Sequence, residues 1–240
     1  MEVKSGQVSL FLVLGLMILM VLGFFLIGLK EFRLNSANTG STIHDYVEQC
    51  VRKSAERGLY IIGRQGGWIK INAPFENMRY GNISYAYTNK TISLPPLRSI
   101  QAEHELFVER ETLICLGSFP NKDAFFESIG IPIAHTKFTE KSVVVDVEMD
   151  VIAKIANGRR QFNDFSVTIP VRFKSVHTLA NAIAERKKFF PSYVDLTLLG
   201  MQDIDVDVLS YGRYEVYVLT DKESSLWGLP YRFIFASELE

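Results

Sequence analysis

The sequence has no excess of either charge. Its 240 residues include 26 lysines and arginines against 27 aspartates and glutamates, which gives a formal net charge of −1. Proteins that bind nucleic acid, or that lie on a membrane through a polybasic surface, concentrate positive charge. We therefore expect no nucleic-acid partner.

The sequence also lacks the short motifs of common catalytic and metal sites. It contains no G-x-S-x-G and no H-E-x-x-H motif, and no histidine has a metal-ligand spacing to another histidine or to a cysteine. We therefore expect no catalytic residue, no metal ligand and no cofactor, and we expect that the protein is not an enzyme. The histidines are His44, His104, His135 and His177.

Two predicted strands carry acidic side chains at every second position, which places each set on one face of its strand. Carboxylates in such a row bind hard cations such as calcium, but the glycine and glutamate of an EF-hand loop are missing here. The alternative is a solvated face that discourages edge pairing. A cation site is favoured only if the two strands are neighbours. The sets are Asp203, Asp205 and Asp207, and Asp146, Glu148 and Asp150.

One long apolar stretch stands out. Residues 8–29 read VSLFLVLGLMILMVLGFFLIGL and contain no charge, and about 20 apolar residues cross a hydrocarbon core about 30 Å thick as a helix. A secretory peptide has a shorter apolar run with a cleavage site, whereas charged residues follow directly here. We predict a tail over residues 1–7, one transmembrane helix over 8–29, and a juxtamembrane linker over 30–40.

Two features favour an extracytoplasmic position for residues 41–240. Cys50 and Cys115 are the only cysteines, a number compatible with one disulfide in an oxidising compartment; two buried thiols are the alternative. Asn82 and Asn89 each begin an N-glycosylation triplet, Asn-Ile-Ser and Asn-Lys-Thr. Basic residues flank both ends of the apolar stretch and do not decide its orientation. We expect a single-pass protein of the cell membrane with an extracytoplasmic domain.

The residues Lys4-Ser5-Gly6-Gln7 lead straight into the apolar stretch. This arrangement resembles the class III signal of archaeal type IV pilin-like proteins, in which a peptidase cuts after a small residue that precedes Gln. The resemblance implies cleavage between Gly6 and Gln7 and assembly into a filament. The motifs Tyr46-Val-Glu-Gln-Cys50, Gly58-Leu-Tyr-Ile-Ile-Gly63 and Gln65-Gly-Gly-Trp68 are similar to those of uncharacterised archaeal single-anchor membrane proteins. That similarity implies a cell-envelope setting.

Helical and strand periodicities follow one another along residues 41–240. Apolar residues recur at helical spacing over four segments, near 42–63, 99–116, 121–130 and 175–190. Alternation and turn signals predict strands near 68–71, 83–87, 91–94, 143–151, 165–173, 204–209, 213–220 and 231–236. This segregated order predicts an α+β fold, with helices and an antiparallel sheet in one globular domain.

These observations favour a membrane-anchored structural or interaction protein at the cell surface, adhesive or pilin-like. Its expected partners are the membrane, in which it is integral, and other proteins or further copies of itself. The alternatives are an accessory subunit of a membrane complex and an anchored metal-dependent enzyme that uses the acidic stripes. Aromatic rings give contact area at low entropy cost, so a candidate surface for protein or carbohydrate comprises Tyr80, Tyr85 and Tyr87 with Asn77 and Asn82.

Overall fold

A computed structural model describes Met17 and residues 43–78, 81–118, 125–155, 158–200 and 203–239. The chain divides between residues 42 and 43 into two units, and the described residues from 43 onward belong to the second. No helix among the described residues is long and apolar enough to span a membrane. Apart from Met17, the predicted transmembrane helix lies outside the described residues, as do the candidate cleavage residues Gly6 and Gln7. These two features stay predictions.

The described part of the second unit contains four helices: α1 (Ile43–Arg64), α2 (Leu97–Leu116), α3 (Phe173–Phe189) and the short α4 (Leu196–Gly200). The apolar residues of α1 recur every three or four positions and are buried, as at Val47, Val51 and Leu59. After α1, Gly66 and Gly67 adopt φ values of 64° and 100°, which side-chain-bearing residues rarely take. The three long helices are confirmed.

The described strands are β1 (Phe75–Met78), β2 (Gly81–Thr88), β3 (Thr91–Ile92), β4 (Phe125–Ile129), β5 (Ile133–Phe138), β6 (Val143–Ile155), β7 (Gly158–Ile169), β8 (Asp205–Ser210), β9 (Tyr214–Leu226) and β10 (Leu229–Glu238). They form two sheets. The six-stranded sheet has the order β1-β2-β10-β9-β8, with β3 paired to β2. In the four-stranded sheet, β6 pairs with β7 along one side and with β4 and β5 along the other. The α+β fold is confirmed.

Most strand pairings are antiparallel, as predicted, but β2 and β10 run parallel. The turn between β2 and β3 consists of Asn89 and Lys90, both with positive φ (48° and 61°), and joins the strands at the predicted place. Trp227 and Gly228 form a similar turn between β9 and β10, with φ values of 54° and 78°. A two-residue turn in which both residues have positive φ has a backbone twist that matches the twist of the strands it connects.

One buried apolar core links both sheets. The helix α1 packs against α2, against β7 of the four-stranded sheet and against β10 of the six-stranded sheet. Phe173, the first residue of α3, lies in the middle, with ring centres 4.6 Å from Phe138 of β5 and 6.1 Å from Phe233 of β10. The sheets therefore share their hydrophobic contacts and do not form separate domains.

A buried polar network also joins the two sheets. Arg172, between β7 and α3, donates two hydrogen bonds to Asp221 of β9, at 3.0 and 2.5 Å. Burial alone raises the pKa of Asp221, but hydrogen bonds from Arg172 and Ser224 bring that pKa below its ordinary value. The ion pair therefore keeps Asp221 charged inside the protein. It fixes the start of α3 to the sheet that α3 covers.

The helix predicted near residues 121–130 is wrong. Residues 125–129 form β4, and residues 121–124 lie outside the described part of the chain. Phe125 pairs with Lys154 and Ile129 with Val151 of β6, and the Gly130 amide donates a 2.7 Å hydrogen bond to a β6 carbonyl. Pairing with β6 stabilises these five residues more than a single turn of isolated helix would, because helix nucleation is unfavourable.

The short strand predicted over Trp68–Ile71 is also wrong. These residues form no strand, because a side chain satisfies their backbone. The carboxylate of Glu103 on α2 accepts hydrogen bonds from the amides of Ile69 and Lys70, at 2.9 and 3.4 Å. The segment is thereby held against α2 without a partner strand.

Candidate functional site

Cys50 of α1 and Cys115 of α2 form a disulfide, with Cα atoms 5.6 Å apart, which confirms the predicted pairing. Cys50 belongs to the buried stripe of α1. Close by, the Tyr46 hydroxyl donates a 3.0 Å hydrogen bond to the Cys115 carbonyl oxygen. The disulfide therefore links α1 and α2 at a place where packing and the Tyr46 hydrogen bond also hold the two helices together.

Both predicted glycosylation residues are exposed. Asn82 lies at the start of β2, and Asn89 lies in the turn after it. Ser84, the hydroxyl residue of the first triplet, is buried and donates a 2.8 Å hydrogen bond to the Gln65 carbonyl oxygen. Thr91 of the second triplet is exposed. Modification of the two asparagines stays a prediction.

The two acidic stripes are not neighbours. Asp146, Glu148 and Asp150 lie on β6 of the four-stranded sheet, whereas β8 belongs to the other sheet. Asp146 accepts a 2.5 Å hydrogen bond from the Ser166 hydroxyl. Within the described ranges, no group of three His, Cys, Asp or Glu residues is placed to hold a metal ion. The condition under which the sequence favours a cation site is therefore not met.

His104 is part of the core. Its Nε2 donates to the Ala55 carbonyl oxygen at 3.0 Å, so its Nδ1 accepts the hydrogen bond from the Thr136 hydroxyl at 2.9 Å. Burial lowers the pKa of His104 to about 4 from an ordinary value of 6.5. A Cβ at Gly58 would lie 2.8 Å from this ring, so α1 approaches α2 closely because position 58 is glycine. His104 thus serves to join α1, α2 and β5.

The tyrosine surface proposed from the sequence does not form. Tyr85 and Tyr87 are only 9% and 1% exposed. They lie on β2, which is flanked by strands on both sides and is buried over its second half. The Tyr85 hydroxyl donates a 2.7 Å hydrogen bond to Glu76, and burial raises its pKa above the ordinary value. Tyr80 lies outside the described residues.

A groove lies on the face of the six-stranded sheet that points away from α3. Two cavities of about 400 and 310 Å³ form it, and they share Tyr60, Arg64 and Ile234. Along β9, Val216 and Val218 line the groove, whereas the residue between them faces the core. We call this surface the groove; its main lining residues are Tyr60, Arg64, Leu209, Tyr211, Val216, Val218, Trp227, Leu229, Arg232 and Ile234.

Two aromatic rings lie exposed at the groove. Tyr60 of α1 is 44% exposed and Trp227 is 56% exposed, and their ring centres are 5.3 Å apart. The Trp227 indole N–H donates a 2.8 Å hydrogen bond to Glu56, one turn before Tyr60 on α1. The Arg64 guanidinium lies 5.9 Å from the Tyr60 ring centre. Trp227 is therefore fixed in place by its turn and by α1, although most of its ring meets water.

The groove combines apolar surface with positive charge. Among the described residues that line the two cavities, Arg64 and Arg232 are charged and none is a carboxylate. Leu209 and Leu229 are 47% and 68% exposed. Trp, Tyr and Arg contribute the most binding energy at protein interfaces, and contiguous exposed apolar patches mark such interfaces. The arrangement suits a partner that presents apolar and acidic side chains.

The periodicity of the sequence does not identify these residues. Helical spacing near 42–63 marks the buried face of α1, whereas Tyr60 and Arg64 lie four positions apart on its outer face. The strands predicted from the sequence end at residue 220 and resume at 231, which leaves Trp227 in a loop. The Trp227-Gly228 pair between two apolar runs was the available signal, since glycine in such a position favours a two-residue turn.

Comparison of the chain with models of known protein families gives no match. Curated proteins and solved structures likewise give no significant match. The sequence and the geometry of the groove are therefore the basis for assigning a function.

Proposed function

We propose that the protein is a single-pass membrane protein whose extracytoplasmic domain binds a protein partner at the cell surface through the groove. The apolar stretch over residues 8–29 supports the anchor, and the disulfide supports an oxidising compartment. The binding role is carried by one observation, the exposed ring pair of Tyr60 and Trp227 beside a cavity of about 400 Å³.

The position of Trp227 argues for binding over mere exposure. A bulky residue at φ 54° is an unusual choice for a turn, because the side chain crowds the backbone there. Such an outlier costs about 1–3 kcal/mol and tends to occur at functional sites. When a partner covers the exposed ring, each Å² of apolar area that leaves water contributes about 25 cal/mol to the free energy of binding. The turn therefore holds an aromatic ring in an exposed position from which a partner can bury it.

The arginines set the chemistry of the partner. Arg64 and Arg232 border both the apolar floor and the aromatic rings. Guanidinium groups bind carboxylates with two parallel hydrogen bonds, and they also stack on aromatic faces. We therefore expect a partner segment in which an aromatic or aliphatic side chain is flanked by aspartate or glutamate.

The test is site-specific photo-cross-linking in intact cells that produce the full chain. A benzophenone amino acid replaces Tyr60 in the groove; the matched control replaces Leu106, which is 67% exposed on α2. We expect one discrete adduct from position 60 and none from position 106. Arg232→Glu should abolish that adduct, because it places a carboxylate opposite an acidic partner.

The mass of the adduct identifies the type of partner. A second copy of the chain points to self-association of the pilin-like kind, and an integral membrane protein points to an accessory subunit. Absence of an adduct from position 60, or equal adducts from both positions, contradicts the groove as a binding site. The anchored topology is tested by protease treatment of intact cells: a protected domain with free Cys50 and Cys115 thiols contradicts it.

A further inference from the structure

The two cavities of the groove follow one another along the strands. Val216 lines the larger cavity and pairs with Ala236 of β10, whereas Leu229, at the start of β10, lines the smaller cavity. A strand rises about 3.3 Å per residue, so the seven steps from position 229 to position 236 cover roughly 23 Å. The groove is therefore elongated in the direction of β10.

Each cavity has its own exposed aromatic ring. Tyr211, which is 50% exposed, lines the larger cavity, and Trp227 lines the smaller one. The Tyr211 ring stacks on Tyr214, with ring centres 5.4 Å apart and planes inclined by 18°. Trp227 is held by its hydrogen bond to Glu56. Rings that are fixed before binding give contact area at low entropy cost. The groove therefore offers two separate places for an apolar side chain.

A positive charge lies where the two cavities meet. Arg64 lines both cavities, and Arg232 lines the smaller one. The same sheet face carries two carboxylates on β8, two strands away from β10: Asp205 forms an ion pair with Lys222, and Asp207 pairs with β9. Neither of them lines a cavity. A bound carboxylate is therefore favoured beside Arg64, between the two aromatic rings.

We propose that the groove binds a short linear segment of its partner in extended conformation. About seven extended residues match the length of the groove. Side chains at every second position of such a segment point to the same side. Apolar side chains at its first and seventh positions then reach the two rings, and an aspartate or glutamate at the third or fifth position reaches Arg64. This inference rests on the proposed function of the groove and specifies the kind of partner.

The experiment selects peptides that bind the full chain in detergent. The probe is a phage library that displays random 15-residue peptides, and a chain with both Tyr211→Ala and Trp227→Ala removes phages that bind elsewhere. We expect enriched peptides with two apolar residues six positions apart and an acidic residue an even number of positions from each. Apolar residues at three- and four-residue spacing would indicate a bound helix and would overturn the extended segment.

Fluorescence anisotropy with an enriched peptide tests the two anchors separately. Tyr211→Ala and Trp227→Ala should each weaken binding about ten-fold or more, because each removes a ring that an apolar side chain covers. The matched control is Tyr193→Ala, a residue that is 59% exposed and does not line the groove; it should leave the affinity unchanged. A peptide with alanine in place of one anchor should lose its sensitivity to one of the two groove variants and keep its sensitivity to the other.

The central charge is tested with Arg64→Gln. This variant should weaken binding of the acidic peptide about ten-fold and should leave binding of the matching asparagine or glutamine peptide unchanged, because the guanidinium pairs with the carboxylate. Equal losses for both peptides would refute the ion pair. An affinity that depends on only one of Tyr211 and Trp227 would refute the segment with two anchors.

Photo-cross-linking from position 60 separates this inference from the proposed function. A discrete adduct in cells without any enriched peptide refutes the linear segment alone, because the partner then presents a folded surface. Neither an adduct nor an enriched peptide refutes the linear segment and the groove as a binding site together. An adduct that an enriched peptide abolishes by competition in cell membranes supports both.

Discussion

The two faces of the six-stranded sheet are covered differently. On the inner face, Tyr217 and Phe233 are at most 1% exposed and lie within the core that α3 covers. On the outer face, Val218 and Ile234, which follow them directly in sequence, line the groove. Both faces are therefore apolar, although only the inner one has a helix packed on it among the described residues.

This difference separates stability from binding within the same strands. A sheet face that meets only water carries polar side chains in alternation with the buried ones. The outer face departs from this rule at the groove, where valine, isoleucine and leucine occupy positions that face outward. We infer that the inner face holds the fold together and that the outer face serves a contact.

The largest effect should come from truncating the inner face. Phe233→Ala should lower the free energy of unfolding by about 4 kcal/mol, because it leaves a cavity among closely packed rings. The adjacent Ile234→Ala should cost only about 1 kcal/mol, since that side chain faces the groove. Urea denaturation of the full chain in detergent, followed by circular dichroism, measures both. Equal losses would show that the two faces are equally important for stability.

A buried ion pair on the inner side provides the second test. The Lys187 ammonium donates hydrogen bonds to Glu215 at 2.6 Å and to the Pro191 carbonyl oxygen at 2.7 Å. Lys187→Met should lower the free energy of unfolding by about 3 kcal/mol, because it removes the ammonium that pairs with the buried Glu215 side chain. The matched control is the exposed neighbour, Lys188→Met, which should be nearly neutral in the same denaturation experiment.

Acid should weaken the buried part of the molecule and not the groove. The pKa of His104 is about 4 in the folded protein and 6.5 when unfolded, so the unfolded chain binds more protons between these values. His104 therefore contributes its full stability above pH 6.5 and loses it as the pH falls toward 4. Between pH 7 and pH 5 the loss is about 2 kcal/mol.

The control for this titration is His104→Gln, which keeps a hydrogen-bonding side chain and removes the ionisable ring. Its free energy of unfolding should fall less between pH 7 and pH 5 than that of the unaltered protein. Burial also lowers the pKa of His177, so a smaller acid sensitivity of the same sign remains. Identical pH profiles for the two proteins would contradict the structural role of His104.

The smallest effect on stability should come from the groove. Trp227→Ala should change the free energy of unfolding by less than about 1 kcal/mol, because most of its ring already meets water. The same variant should reduce photo-cross-linking from position 60 strongly. A large loss of stability with unchanged cross-linking would show that Trp227 supports the fold and does not bind a partner.

Much of the fold was predictable because it depends on local periodicity. The buried stripes of α1, α2 and α3 and the alternation along β6 all appear in the sequence, and the Asn89-Lys90 turn was placed correctly. The error at β4 arose because the order of residues in this five-residue segment fits a helix as well as a strand. Only the pairing with β6 distinguishes the two.

The candidate sites were less predictable. Cys50 and Cys115 were paired correctly because no other cysteine competes. The tyrosines of β2 were misjudged because alternation does not reveal that a strand is flanked and covered on both faces. Tyr60 and Trp227 were missed because they lie far apart in sequence and meet only when the β9–β10 hairpin reaches α1.

The sequence by itself determined the α+β class, the three long helices, the disulfide and the apolar stretch that we expect to form the anchor. Each depends on the composition or spacing of residues within one segment. The tertiary structure alone decided the groove and the separation of the acidic stripes. Each of these depends on which distant strands pair and which helix lies beside them, and such long-range contacts leave no periodic trace in the sequence.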